Sequence, residues 1–121
     1  MAKIIIIDDD SDLLKFMTAC LKDDHDVVLA ASGEEGLVLA KTTPFDVVLT
    51  DIFMPTKDGL EVVQELVKSF PQSKIIAMTA EMKGGKTDFL DFAMHLGAAA
   101  KLAKPFTSEI LRQTIDEVLA L

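Results

Sequence analysis

Five short apolar runs, each followed by an amphipathic stretch, constrain this chain more than any other feature. The runs are KIIII (3–7), DVVLA (26–30), DVVLT (46–50), KIIAM (74–78) and AAKLA (99–103). The first four are rich in β-branched residues and lack strict alternation, the pattern of strands buried on both faces. The fifth is weaker and is assigned as a strand from its place in the series. Between the runs, Leu13, Leu14, Met17, Cys20 and Leu21 share one helical face. So do Val62, Val63, Leu66, Val67 and Phe70, and later Ile110, Leu111, Ile115, Val118 and Leu119. A fourth helix is expected over residues 86–96, after Gly84-Gly85, which reads equally as a plain loop or a hinge. Phe89, Phe92 and Leu96 are assigned to its core side. Phe89 and Phe92 point in adjacent directions, so one of them is expected to be partly exposed. Ser32 with Glu35 and Asp58 with Glu61 have capping-box spacing. Pro44 and Pro71 stop the second and third helices.

Strand then helix, five times over, implies an α/β fold with a parallel sheet, right-handed crossovers and helices on both faces. The 121 residues fit one domain, and the apolar half of them suffices for a core at this size. The net charge of -8 disfavours direct binding to nucleic acid or anionic membrane and favours cations. The single cysteine, Cys20, forms no internal disulfide and reads as an inert core thiol. No apolar run approaches the roughly 18 residues needed to span a bilayer. MAKIIIIDDD lacks the features of a signal peptide. A soluble, cytoplasmic protein is expected.

Ligands of open parallel sheets bind at the carboxyl ends of the strands, near a topological switch point. Asp8, Asp9 and Asp10 follow the first run, and Asp51 follows the third. Thr79, Ala80 and Glu81 follow the fourth, and Lys104 and Pro105 follow the fifth. The second run ends without a comparable group. If it is an edge strand, the order 2-1-3-4-5 sets the other four ends side by side. With strands about 4.8 Å apart, Asp8 or Asp9 then lies close to Asp51. Carboxylates so crowded must share a proton or bind a cation. Oxygen-only ligands favour a hard ion such as Mg²⁺, or Mn²⁺, and no histidine or cysteine at these ends points to zinc. Thr79 adds a hydroxyl and Lys104 a mobile positive charge, both suited to phosphate. A carboxylate in that company is placed to attack phosphorus. Asp10 and Asp12 are assigned instead to the first turn of helix one, where negative charge is favoured. His25 and His95 receive no role.

The motifs IIIIDDD, DVVLTDIFMPTKDGLEVV, IIAMTAE and KLAKPF, in this order, resemble the receiver domains of bacterial two-component signalling, the CheY-like response regulators. The resemblance covers essentially the whole chain. It implies a flavodoxin-like (βα)5 three-layer sandwich over residues 1–121, with sheet order 2-1-3-4-5. It implies that Asp51 is the phosphoacceptor, and that Asp9 ligates Mg²⁺ directly while Asp8 acts through water. The Phe53 carbonyl would be a further ligand, Thr79 the switch hydroxyl and Lys104 the phosphate-pairing lysine. The Lys104-Pro105 peptide is expected to be cis. Pro55, Asp58 and Gly59 match the loop after the acceptor. A histidine kinase or histidine phosphotransfer protein would be the phosphoryl donor. Output to a downstream protein target would use the helix 4–strand 5–helix 5 surface, including Ala80, Glu81, Lys101 and Pro105.

Two departures stand out. Relatives usually carry an aromatic residue three positions before the lysine, where this chain has Lys101. Phe53, two residues after the acceptor, is often polar in relatives and is expected to slow loss of the phosphoryl group. Alternatives left open at this point are a phosphorylation-independent interaction module, a fragment of a larger regulator, and a Mg²⁺-dependent phosphatase.

Overall fold

The computed structural model describes residues 1–53, 59–80 and 88–121, with the backbone alone for 88–90. The expectations for Pro55, Asp58, Glu81, Gly84-Gly85 and the Phe89 side chain lie outside the described residues. The elements are β1 (Lys3–Ile7), α1 (Ser11–Leu21), β2 (Asp26–Ala30), α2 (Gly33–Thr42), β3 (Val47–Asp51) and α3 (Gly59–Ser69). They continue with β4 (Lys74–Ala80), α4 (Asp88–His95), β5 (Ala100–Lys104) and α5 (Ser108–Leu119). All pairings are parallel, in the order β2-β1-β3-β4-β5.

The period of two along each strand divides the core. Ile4 and Ile6 of β1 face Leu14 and Met17 of α1 and Leu111, Ile115 and Val118 of α5. Ile5 and Ile7 face the other way, toward Leu37 of α2, Val62, Val63 and Leu66 of α3, and Ala93 of α4. Ile4 to Ile7 are wholly buried, as befits a strand covered on both sides. Gly36 lets α2 approach β1 closely, since a side chain there would run into Ile7.

Helix starts follow local chemistry. Asp10 caps α1, accepting from the amides of Asp12 and Leu13. Ser32 caps α2 and Thr107 caps α5 in the same way. Glu35 reaches back to the amide of Ala31 rather than closing a reciprocal box on Ser32.

Several expectations need correction. β2 is not buried on both faces. Asp26 and Leu29 are exposed, and Val27 and Val28 are half-buried. It is the edge strand, so the helices cover it incompletely. In α5, Ile110 and Leu119 are exposed, while Leu111, Ile115 and Val118 face the sheet. That buried line repeats at four and three residues, and the two exposed positions flank it. Phe92 is exposed, in line with the expectation that one of Phe89 and Phe92 would be, because the neighbouring Ala93 takes the inward direction; Leu96 is only half-buried. Cys20 is half-buried at the margin of the core. The carboxyl ends of β3, β4 and β5 reach Asp51, Ala80 and Lys104, beyond the apolar runs. Ladder pairing uses backbone groups, so polar residues extend it: Asp51 pairs with Met78 and Ala80 with Lys104. α4 spans Asp88–His95, shorter than expected at its carboxyl end. Among the described residues no helix is long and apolar enough to cross a membrane.

Candidate functional site: an acidic pocket at the carboxyl edge of the sheet

The edge position of β2 brings the ends of β1, β3, β4 and β5 together. Asp8 follows β1 and is fully buried; Asp51 ends β3 and is nearly so. Asp9 is exposed at the mouth. Carboxylate oxygens of Asp8, Asp9 and Asp51 lie within 4.8 Å of one another. Lys104, at the end of β5, bridges two of them. Its Nζ donates to Asp8 Oδ2 at 2.6 Å and to Asp51 Oδ2 at 3.0 Å.

Backbone amides hold the remaining oxygens. The Asp10 amide donates to Asp8 Oδ1 at 2.9 Å, and the Phe53 amide to Asp51 Oδ1 at 3.0 Å. Each spans two residues, a local turn that aims the carboxylate while the chain leaves the strand. Gly59 lets the start of α3 sit against this turn. A side chain there would collide with the Ile52 backbone and the Asp51 carbonyl.

The electrostatics follow from burial. Desolvation pushes the Asp8 carboxyl above its ordinary range, partly offset by the Lys104 hydrogen bond and the Asp10 amide. For Lys104, burial opposes the charge, but the hydrogen bonds and charges of Asp8 and Asp51 outweigh it. They hold the ammonium above the ordinary lysine range. The site thus draws in positive charge and meets that demand with its own lysine.

Thr79 lies within β4 and is buried, and its Oγ1 has no hydrogen-bond partner among the described residues. A buried hydroxyl without a partner is costly and rare. This one has a donor and acceptor to offer to an incoming group. The carboxylates therefore fit a hard divalent cation, and Lys104 and Thr79 are donors suited to an anion. Phe53 is 43% exposed, and its amide donates to Asp51, so a bulky apolar residue sits two positions along from that carboxylate.

Outside the pocket, Ala80 and Pro105 are exposed, and the Lys104-Pro105 peptide is cis. Lys101 points away from the acidic cluster and forms an ion pair with Asp91 of α4 at 2.8 Å. Sequence reasoning missed Asp91, since nothing in its local pattern marks a partner on the next strand. It also missed Thr50, buried next to Asp51, whose hydroxyl donates to the Asp51 carbonyl.

With this geometry in hand, the comparisons agree. Residues 4–116 match the model of the response regulator receiver domain. The chain is 37% identical to the protein PilH of Pseudomonas aeruginosa over 99% of both chains. It is 34% identical to the transcriptional regulatory protein CiaR of Streptococcus pneumoniae, of which it spans 52%. The crystal structure of a CheY-like receiver domain protein from Methanospirillum hungatei superposes with a TM-score of 0.88. That pair is 29% identical, covering 97% of this chain and 92% of the other. Phosphorylation and magnesium binding are general features of such domains, as are dealings with histidine kinases and downstream targets. The match over residues 4–116, the relative identical at 37% over 99% of both chains and the shared fold together place this chain in the response regulator receiver domain family.

Proposed function

We propose that residues 1–121 act as one receiver that takes a phosphoryl group onto Asp51 from a phosphohistidine of a histidine kinase or histidine phosphotransfer protein. The observation that carries this reading is the ammonium of Lys104 held between Asp8 and Asp51; the buried Thr79 hydroxyl on the adjacent strand β4, without a hydrogen-bond partner among the described residues, supports it. Asp8, Asp9, Asp51 and the Phe53 carbonyl would hold Mg²⁺, or Mn²⁺. When bound there, the ion offsets negative charge on the transferring phosphoryl oxygens.

The chain's own groups do the rest. A carboxylate oxygen of Asp51 attacks phosphorus, an acyl phosphate P–O bond forms, and the P–N bond to the donor imidazole breaks. Lys104 moves from the carboxylates to a phosphoryl oxygen, and Thr79 donates to another. Both are charge-stabilising contacts that strengthen as charge develops. The freed imidazole leaves with the donor. The receiver acts on itself rather than turning over a separate substrate, so it is a signalling phosphoacceptor and not an enzyme in the usual sense. Output runs through the α4–β5–α5 surface, with Ala80, Glu81, Lys101 and Pro105, to a protein target in the cytoplasm. The net charge of -8 argues against nucleic acid or membrane as a direct partner.

Incubation with Mg²⁺ and acetyl phosphate, followed by intact-mass measurement, tests the reading. Wild type should gain one phosphoryl group and Asp51→Asn none. An unlabelled wild type, or equal labelling of the variant, overturns it.

A further inference from the structure

The β4–β5 ladder sets Thr79 opposite Ala103 and Ala77 opposite Lys101. Residues two apart on a strand share a face, so Lys101 stands one step along from Thr79 on the face that α4 covers. Ala77 and Ala93 of α4 are buried in the same cluster, and Ala103 packs against it. Among the described residues, α4 grips this part of the sheet with small side chains and the half-buried Leu96. Its carboxyl end is better anchored. Gly97 adopts a φ of 114°, and its amide and that of Ala98 return to the carbonyls of Met94 and Ala93. Val67 of α3 lies against Gly97. The middle of α4 is then held at the sheet edge by the Lys101–Asp91 pair, whose side chains are 51% and 56% exposed.

A neutral ring at position 101 could turn inward to fill room vacated by Thr79. An ammonium cannot enter apolar space without a partner. Any movement of α4 toward such room must therefore pull Asp91 from Lys101 or drag the lysine against its desolvation. We propose that the Lys101–Asp91 ion pair is an electrostatic latch that sets the resting position of α4 on β5, in place of an aromatic gate. An ion pair this exposed shifts a two-state balance by up to about five-fold and weakens with salt. That is enough to bias a switch and too little to lock it. The trigger rests on Asp51 being the phosphoacceptor; the latch itself does not.

The test reads amide resonances of α4 and β5 in the unphosphorylated protein by NMR. Lys101→Met and Asp91→Asn should move the same α4 resonances in the same direction, with up to about a five-fold change in the balance. The double variant should move them no further, and the charge-swapped pair Lys101→Asp with Asp91→Lys should restore them. Raising salt to about 1 M should reproduce the shift in wild type and not in Lys101→Met. Beryllofluoride with Mg²⁺ should drive wild type further along the same path. The latch is overturned if the single variants perturb only their immediate neighbours, or if the swap does not restore the resonances. Absence of a beryllofluoride response alone counts against the acceptor reading and leaves the salt and swap measurements to decide the latch.

Discussion

Asp8 has no exposed surface, and burial dominates its behaviour. Its pKa is raised on folding, so the protonated carboxyl suits the fold better than the carboxylate. The stability it contributes is complete below the ordinary value of 3.8 and is lost as pH rises through the raised folded value. At neutral pH its charge costs stability, even with Lys104 beside it. Asp8→Asn should therefore raise the melting temperature at pH 7, and the gain should shrink toward zero as pH falls below 3.8. Thermal melts across pH measure this, and a variant less stable at pH 7 contradicts it. Phe53 makes a different case. Its ring offers no hydrogen bond to a water approaching an Asp51 acyl phosphate. One such bond is worth about 1 kcal/mol, so Phe53→Asn should speed dephosphorylation about five-fold. A rate that stays level or falls after the substitution, followed by loss of labelled protein, removes Phe53 from that role. Asp8 was picked out from its position at the end of the first strand, and Phe53 from the resemblance to receiver domains. The assignment of Asp10 away from the pocket was equally readable, because capping needs only a polar acceptor two and three residues before the amides it serves. What position could not supply was the burial of Asp8, which depends on packing from every side.

At the scale of elements, β-branched runs and helical periodicity located the strands and helices, since both patterns are written within a few consecutive residues. The errors fall where the surroundings take over. β2 carries an apolar run but sits at the sheet edge with Leu29 exposed. β4 continues through Thr79 to Ala80 because its neighbours offer backbone partners. The end of α4 shows how a local rule and a tertiary one meet. Gly97 is required both by its positive φ and by Val67, which a side chain would crowd at 2.9 Å. Gly97→Ala should lower stability by about 1–3 kcal/mol. In urea unfolding this would appear as a lower midpoint with an unchanged slope. An unchanged midpoint would mean that the helix end relaxes freely.

Over the whole molecule, the order 2-1-3-4-5 converts four separate strand ends into one pocket. The pocket concentrates negative charge in a chain that is already at -8, so a bound divalent cation should stabilise the fold. Mg²⁺ at a hundred times its dissociation constant should add about 2.7 kcal/mol, visible as a rise of several degrees in melting temperature. Asp9→Asn should remove most of that rise, and EDTA should abolish it in wild type. An equal response in the variant would place the ion elsewhere. The alternation of elements, the type of sheet and the polar groups available at each strand end are all inherent in the chain, because they rest on short-range spacing. The bridge from Lys104 to Asp8 joins residues 96 positions apart. The burial of the Thr79 hydroxyl and the pairing of Lys101 with Asp91 likewise arise only when distant segments pack. Spacing along the chain encodes which groups are offered. Only the folded arrangement decides which of them meet, and burial then sets what their charges are worth.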